Sequence, residues 1–161
     1  ELSAAYYCGT FGYCQSLKRI TFPDRMVRFG EWAFYENESL QSVCIPEGVT
    51  TIPSSAFARC HNLTCVIMPG SLQTICGGAF SQCHKLTDVT IPDGVTVIET
   101  GAFPSYLDMA FVPCLAVIPP ELGKDNFGFP AKILYVPAGS VEVYRKNAVW
   151  REAFETIAAL P

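Results

Sequence analysis

Charged residues and histidines are scarce in this sequence. Only 16% of its 161 residues are charged, the formal net charge at pH 7 is -4, and there are two histidines. A weakly charged, acidic chain lacks the basic surface with which proteins bind nucleic acids or anionic membranes. No apolar run approaches the ~20 residues needed to span a bilayer. We therefore expect no nucleic-acid partner and no membrane insertion of this segment.

Sequence motifs of catalysis are also missing. The chain contains no G-x-S-x-G, no P-loop and no H-E-x-x-H. His61 and His84 are the only histidines available as general bases, and the 15 acidic residues are spread singly, as on a solvated surface. We expect a non-catalytic protein without a cofactor.

An initiator methionine and a basic-then-apolar leader are absent as well. Glu1 is therefore expected to begin a processed or truncated chain from which any secretion signal has been removed. Eight cysteines make up about 5% of the residues, below the ~8–10% that is typical of a disulfide scaffold. Their even number permits disulfides without requiring them.

What the sequence does contain is a repeat. Half of the residues are apolar, and the segments 16–38, 39–61, 62–84 and 85–107 align with a constant 23-residue period and no gap. Each unit reads L-x-x-V-x-I-P-x-x-V-x-x-I-x-x-x-A-F-x-x-C. The aligned leucine, proline and phenylalanine positions are Leu17, Leu40, Leu63 and Leu86; Pro23, Pro46, Pro69 and Pro92; and Phe34, Phe57, Phe80 and Phe103.

Units this small must stack on one another to bury their apolar faces, which predicts a solenoid. The V-x-I pair alternates with period two, as in a strand with one buried face, and the proline ends that strand. Glu47-Gly48 and Asp93-Gly94 indicate turns after the proline. The A-F stretch is expected to form a helical turn or a bend that inserts phenylalanine into the core. Stacked strands would then form a parallel sheet along one side.

The repeat weakens towards both ends of a single domain covering residues 1–161. Residues 1–15 are interpreted as a partial N-terminal repeat and residues 108–140 as degenerate repeats, including a strand in 132–140. The apolar spacing in 141–161 predicts a helical C-terminal cap with a kink near Asn147. No comparable cap is expected at the N-terminus, so the parent array is expected to continue upstream.

The unit resembles the BspA-like, or Treponema pallidum-type, leucine-rich repeat family. The segments "IPEGVTTIPSSAFARCHNLTCV" and "IPDGVTVIETGAF" carry the resemblance, and "ILYVPAGSVEVYRKNAVW" is similar to the segment that often closes such arrays. It covers residues 11–150. It implies an α/β leucine-rich-repeat solenoid, mostly β, from a secreted or cell-surface protein of a host-associated bacterium. By analogy, such solenoids are binding scaffolds without an active site.

Two Cys-His dipeptides, Cys60-His61 and Cys83-His84, supply the ligand types of a tetrahedral zinc site. Three interpretations are open: a ladder of core thiols, a Cys60–Cys83 disulfide between stacked coils, or a Cys2His2 zinc site. Adjacent side chains in an extended stretch diverge, so a cysteine and its neighbouring histidine do not readily bind one ion. Cysteine at this position packs inward in the resembled family. We predict thiols and no bound metal.

Cys44 and Cys65 each lie next to an inward residue, so alternation places both on the outer face of the sheet. They fall on neighbouring strands two residues out of register, which favours thiols over a disulfide.

The outward positions of the stacked strands form two rows and are the candidate ligand-binding face. We expect this face to bind an extracellular protein or a glycan, host matrix included, in an adhesion or recognition module. The alternatives are a lightly decorated solvent face and a purely structural segment of a longer surface array. The candidate positions are Arg19, Ser42, Cys65 and Asp88 in one row and Thr21, Cys44, Ile67 and Thr90 in the other.

Overall fold

Two four-stranded parallel sheets run along a stack of coils in the computed structural model, which describes residues 10–23, 25–105, 110–127 and 131–161. Neighbouring strands lie side by side at the predicted 23-residue interval, as in the pairing of Val43 with Val66. The expected solenoid is thereby confirmed. The first sheet consists of β1 (Arg19–Ile20), β2 (Ser42–Cys44), β4 (Cys65–Ile67) and β6 (Asp88–Val89). The second consists of β3 (Thr51–Ile52), β5 (Thr74–Ile75), β7 (Val97–Ile98) and β9 (Glu121–Leu122).

The first sheet forms where the V-x-I pattern predicts it. Val43 and Val66 are buried, while the residues on either side of them face outward to varying degrees. The proline after each strand opens a turn: the carbonyl oxygen of Pro46 accepts a hydrogen bond from the Val49 nitrogen at 3.3 Å. Gly48 lies within this turn at a φ of +92°, a conformation that glycine adopts without the steric cost of a Cβ.

The second sheet was not predicted, and it means that strands line two sides of the solenoid. Each of its strands has two residues and one inward side chain, such as Ile52 or Ile75, both fully buried. One inward residue gives no alternation to detect in the sequence.

The third segment of each coil is a turn that carries alanine and phenylalanine into the core. The amide of Phe34 donates to the carbonyl oxygen of Ala56 at 2.8 Å, and Phe57 bonds to Ala79 in the same way. The phenylalanine rings therefore stack between successive coils, with centroids 5.2–5.6 Å apart from Phe11 to Phe103. The expected bend and the insertion of phenylalanine are both confirmed.

The stack of rings ends on a residue that falls out of the 23-residue period. Phe127 lies one position beyond a full period from Phe103, and their ring centroids are 4.6 Å apart. The additional residue is accommodated by Asn126, whose side-chain Oδ1 accepts the Phe103 amide hydrogen at 2.9 Å. A side chain thus takes the place that a backbone carbonyl holds in the earlier coils.

The C-terminal part forms a third parallel sheet, ordered β11-β10-β8. Its strands are β8 (Phe111–Pro113), β10 (Ala131–Val136) and β11 (Phe154–Ala159). An isolated parallel bridge between Ile91 and Cys114, just beyond the ends of β6 and β8, links the first sheet to the third, so their outer faces adjoin. The positions of Met109 and Tyr106 and residues 1–9 of the partial repeat lie outside the described residues.

The expected helical cap over 141–161 is only partly correct. A 3₁₀ turn at Ala138–Ser140 leads into α1 (Val141–Lys146) and α2 (Ala148–Ala153), and the chain then continues as β11 instead of helix. Phe154 and Ile157 are buried, and their spacing of three suits a helix. However, pairing with the open edge of β10 satisfies a row of backbone groups that a helix would leave exposed. None of the described helices is long and apolar enough to cross a membrane.

Candidate ligand-binding surface

The first predicted row of outward residues is assembled by strand pairing. Arg19 lies opposite Ser42, Ser42 opposite Cys65, and Cys65 opposite Asp88. In the second row Cys44 lies opposite Ile67, whereas Thr21 and Thr90 are exposed just beyond the ends of their strands. The sequence therefore located the positions of this face, although the second row is paired only at its centre.

A shallow cleft of about 310 Å³ lies at the C-terminal half of this face. Four of the predicted residues line it, namely Cys65, Ile67, Asp88 and Thr90, together with Leu115 and others. The Ile67 side chain is 58% exposed and Leu115 is 39% exposed. Covering apolar side chains that are this open to water lowers the free energy, so they favour contact with a partner.

Sequence reasoning missed the aromatic part of the face. Phe111 is 51% exposed, and its ring lies 5.8 Å from that of Tyr135 in an edge-on contact. Phe111 follows Asp88 by one repeat period and so continues the first row, but its repeat is degenerate and the neighbouring residues 106–109 do not match the unit well. We call Ile67, Phe111, Leu115 and Tyr135 the apolar face cluster.

The Cys65 thiol on this face is not an activated nucleophile. Partial burial, followed by the carboxylate of Asp88 and then Cys44, raises the pKa of the Cys65 thiol. A raised pKa leaves less thiolate at neutral pH and makes a weaker nucleophile. The register places Cys44 two residues from the position opposite Cys65, as predicted.

The cysteines and histidines of the two Cys-His dipeptides point to different environments. Cys60 and Cys83 are fully buried and donate hydrogen bonds to the carbonyl oxygens of Phe34 and Phe57 at 3.2 and 3.1 Å. His61 and His84 lie outside the core with their rings stacked at 5.2 Å. Within the described ranges, no three histidine, cysteine or acidic side chains are grouped as metal ligands would be.

Burial dominates the chemistry of the inward thiols. It raises the pKa of Cys60 to about 12 and raises that of Cys83 well above its ordinary value, with a smaller contribution from Cys60 beside it. Seven cysteines lie in the described ranges and all seven are free. Cys8 is outside those ranges.

Asn37 shows what the inward position requires. It precedes Cys60 by one repeat period, and its side-chain nitrogen donates to the carbonyl oxygens of Phe11 and Phe34 at 2.8 and 3.0 Å. Cysteine and asparagine therefore perform the same task, which is to satisfy a buried carbonyl of the preceding coil. A structural donor, and not a metal ligand, explains the recurrence of cysteine.

These features define a class of protein. Coils of two short strands and one turn, repeated with a constant period around stacked leucine, isoleucine and phenylalanine side chains, form a leucine-rich-repeat solenoid. The family model for the BspA type leucine rich repeat region matches residues 7–109 with six copies. The chain belongs to this family, as the resemblance predicted.

A solved structure shares the fold. The crystal structure of a leucine rich cell surface protein from Faecalibacterium prausnitzii A2-165 is similar to 91% of this chain, with a TM-score of 0.59 and 19% sequence identity. The chain spans about one third of that protein, since the match covers 33% of its length. A search of curated proteins found no match.

Proposed function

We propose that this chain is a non-catalytic recognition module of a secreted or cell-surface bacterial protein, and that the outer face of the first and third sheets binds an extracellular protein. The repeat family supports the proposal, as does the likeness to a leucine rich cell surface protein. The observation that carries it is the apolar face cluster, which lies beside the predicted rows on the adjoining outer faces of these sheets.

The composition of this face favours a protein over a glycan. Ile67, Leu115 and Phe111 are branched or aromatic side chains between 39% and 58% exposed, and such side chains form the centres of protein–protein interfaces. Arg19 and Asp88 place one charge of each sign in the first row, three strands apart. Arg19 lies on the edge strand of this face, whereas Asp88 lines the cleft beside Ile67 and Leu115 and offers a polar anchor among apolar residues.

A binding role also suits the chemistry of the face. Cys65 lies opposite Asp88 on the neighbouring strand, and burial and that carboxylate raise its pKa, so the thiol is not an activated nucleophile. Nucleophilic catalysis requires an activated nucleophile next to a base, and the described residues of this face do not supply that pair. We therefore propose that the module binds without catalysing a reaction.

The test is binding to immobilised fibronectin, fibrinogen, laminin and collagen by surface plasmon resonance. Charged substitutions at Thr21, Ile67 and Thr90, and Phe111→Asp, should each weaken binding at least about tenfold where the ligand covers that position. Thr51→Asp is the matched control, because Thr51 is an exposed strand residue of the second sheet. Unchanged binding in all four face variants would contradict the proposal. If the chain bound none of these proteins but bound immobilised glycans, the ligand of this face would be a glycan and not a protein.

A second candidate function is a spacer within a longer array. A groove of about 390 Å³ lies at the first coil and is lined by Phe11, Ile20, Phe22 and other apolar residues. Ile20 and Phe22 are partly exposed among the described residues, whereas Val43 and Ile45, one coil later, are buried. This end could accept another coil. The test is a longer chain that includes preceding repeats. If it is more stable than this chain and binds none of the proteins above, the spacer function is favoured.

A further inference from the structure

An aromatic cluster lies on the turn side of the first two coils, away from both sheets. Tyr35 is at its centre, with the Trp32 ring centroid 5.0 Å away and the Tyr13 ring centroid 5.5 Å away. The guanidinium carbon of Arg59 lies 5.9 Å from the Tyr35 ring centroid. Tyr13 is 48% exposed, and Trp32 and Tyr35 are partly exposed. The cluster therefore belongs to the surface and not to the core.

The repeat shows that these aromatic residues are not needed for the fold. The position of Trp32 is occupied by Ser55, Gly78 and Gly101 in the following coils, and all four have a positive φ. Glycine adopts this conformation freely, whereas a bulky side chain there is strained. Trp32 has a φ of 58°. Positive φ recurs at turn residues with side chains in this fold, such as Glu36 and Arg59, so the angle alone does not single out Trp32. Serine or glycine fills its position in the later coils, so the turn does not require an indole.

Tyr35 leads to the same conclusion. Its position is held by Ala58 and Ser81 in the next two coils, although the backbone makes the same turn in each. Small residues satisfy the turn, so the backbone does not require the tyrosine, and its ring adds surface contacts with Trp32, Tyr13 and Arg59. Within the part of the chain that the structure describes, this aromatic cluster lies on the N-terminal coils.

The polar rim of the cluster determines the kind of ligand. Arg59 Nη1 lies 3.3 Å from Glu36 Oε2, and Gln15 Nε2 donates to the carbonyl oxygen of Glu36 at 3.5 Å. The rim offers guanidinium and amide donors beside a carboxylate acceptor, and the ion pair cancels the net charge. A hydroxyl group both donates and accepts hydrogen bonds, so a ligand with many hydroxyls suits such a rim.

Aromatic rings complement the other side of such a ligand. The face of an aromatic ring carries partial negative charge and attracts positively polarised C–H groups. A pyranose presents C–H groups on its faces and hydroxyls at its edge. It can therefore stack on a ring while its hydroxyls reach the rim. The paired charges of Arg59 and Glu36 leave no net charge at the rim to attract an ionic ligand, and a flat apolar ligand would leave the rim unused.

We propose that Trp32, Tyr35 and Tyr13, with Arg59 and Glu36 at the rim, form a binding site for a neutral oligosaccharide. This site goes beyond the protein-binding face proposed above and shares no residue with it. One molecule would then carry two recognition surfaces, one on the sheet side for a protein and one on the turn side for a sugar.

The two tryptophans of the chain provide a direct readout. Trp150 is fully buried and its Nε1 donates to the carbonyl oxygen of Pro120 at 2.8 Å, so a sugar added to the folded protein can reach only Trp32. The chain is titrated with maltohexaose, cellohexaose, laminarihexaose, mannohexaose and chitohexaose up to about 5 mM each. We expect a saturable change in fluorescence with at least one of them.

Two variants and one matched control test the residues, with affinity measured by calorimetry. Trp32→Gly installs the residue of the later coils, and Tyr35→Ala installs that of the next coil. Each should weaken binding at least about tenfold. Ser81→Ala changes the position equivalent to Tyr35 two coils away and should leave affinity unchanged.

Three results would overturn the site. They are the absence of saturable binding to all five sugars, affinity within about twofold of the parent in both variants, and binding to heparin alone. If one variant fails to fold, as judged by circular dichroism, the other decides.

Discussion

The thiol of Cys83 donates a hydrogen bond of 3.1 Å to the backbone carbonyl of Phe57, one coil earlier in the stack. The same contact joins Cys60 to Phe34 at 3.2 Å. Each carbonyl also accepts a hydrogen bond from its own coil, from the Cys60 amide at 3.3 Å for Phe57 and from the Asn37 side chain at 3.0 Å for Phe34, so the thiol adds a buried hydrogen bond between coils. The inward cysteines therefore hold the turns of neighbouring coils together.

The first prediction concerns thiol reactivity. With iodoacetamide at about pH 8 the exposed Cys14 and Cys44 should be modified first, while Cys60, Cys83 and Cys114 should stay unmodified until the chain unfolds. Burial denies the reagent access and keeps these three thiols protonated, since it raises the pKa of each. Mass spectrometry of digests taken over time gives the order. Labelling of Cys60 as fast as Cys44 would contradict the buried contact.

The second prediction is a loss of stability in alkali. The pKa of Cys60 is about 12 in the folded chain against an ordinary value of 9.0, so the folded state favours the neutral thiol. The contribution of the neutral Cys60 thiol to the free energy of unfolding is complete below about pH 9. It declines as the pH rises towards 12, by at most about 1.4 kcal/mol per pH unit. Urea unfolding under reducing conditions measures this slope.

Cys60→Ser is the control for this slope, because a hydroxyl does not ionise in that range. The variant should be less stable at neutral pH by about 1 kcal/mol and should lose less stability between about pH 8 and pH 10 than the parent chain. An equal slope in both would mean that other groups, such as the buried Tyr144, whose pKa is also raised, account for the whole effect.

The third prediction concerns the stacked rings. Phe57→Ala removes a fully buried ring that lies 5.2 and 5.5 Å from the rings before and after it in the stack, and it should lower the free energy of unfolding by about 3–5 kcal/mol. Phe11→Ala removes a ring that is 51% exposed and should cost less than half as much. Urea unfolding compares the two, and similar losses would contradict an interior held by continuous ring stacking.

The fourth prediction concerns the break between the two C-terminal helices. The side-chain oxygen of Asn147 accepts the amide hydrogens of Val149 and Trp150 at 3.1 and 3.3 Å and so caps α2. Asn147→Ala should lower stability by about 1 kcal/mol. Lys146→Ala, on the exposed end of α1, is the control and should change stability by less than about 0.5 kcal/mol.

Sequence pattern predicted the register of the first sheet because the repeat has no gaps. Once Val43 and Val66 are known to share a position, their pairing and the outward placement of Ser42 and Cys65 follow. The break at Asn147 was also predictable, since the apolar spacing changes there. The first pattern recurs in every unit, and the second is a local change of spacing within one segment.

The remaining features depend on spacing that the repeat does not supply. Phe111 pairs with Ile133, which is one position short of a full period away, and Phe127 lies one position beyond a period from Phe103. Each offset breaks an alignment that requires a constant interval. The strand at Phe154–Ala159 forms because the edge of β10 is available, a property of the assembled structure and not of the segment. The aromatic part of the candidate face was missed for the same reason.

The surface cluster of Trp32 and Tyr35 escaped sequence reasoning for another reason. These residues stand between the regularly spaced core positions of the unit, where side chains vary freely from coil to coil. Only the structure shows that Tyr13, from the preceding coil, and Arg59, from the next, meet Tyr35. Residues about one period apart in the chain become neighbours once the coils stack.

The constant spacing of the coils also sets a fixed interval between equivalent surface side chains. Equivalent side chains recur once per coil on the faces of the sheets, where neighbouring parallel strands lie about 4.8 Å apart. An extended peptide advances about 3.3 Å per residue, so a peptide lying along the axis comes back into step only after about three residues and two coils. Partners would then be selected by the spacing of their contact groups as well as by their chemistry. A change in the number of coils would lengthen the binding surface without altering the spacing between equivalent side chains.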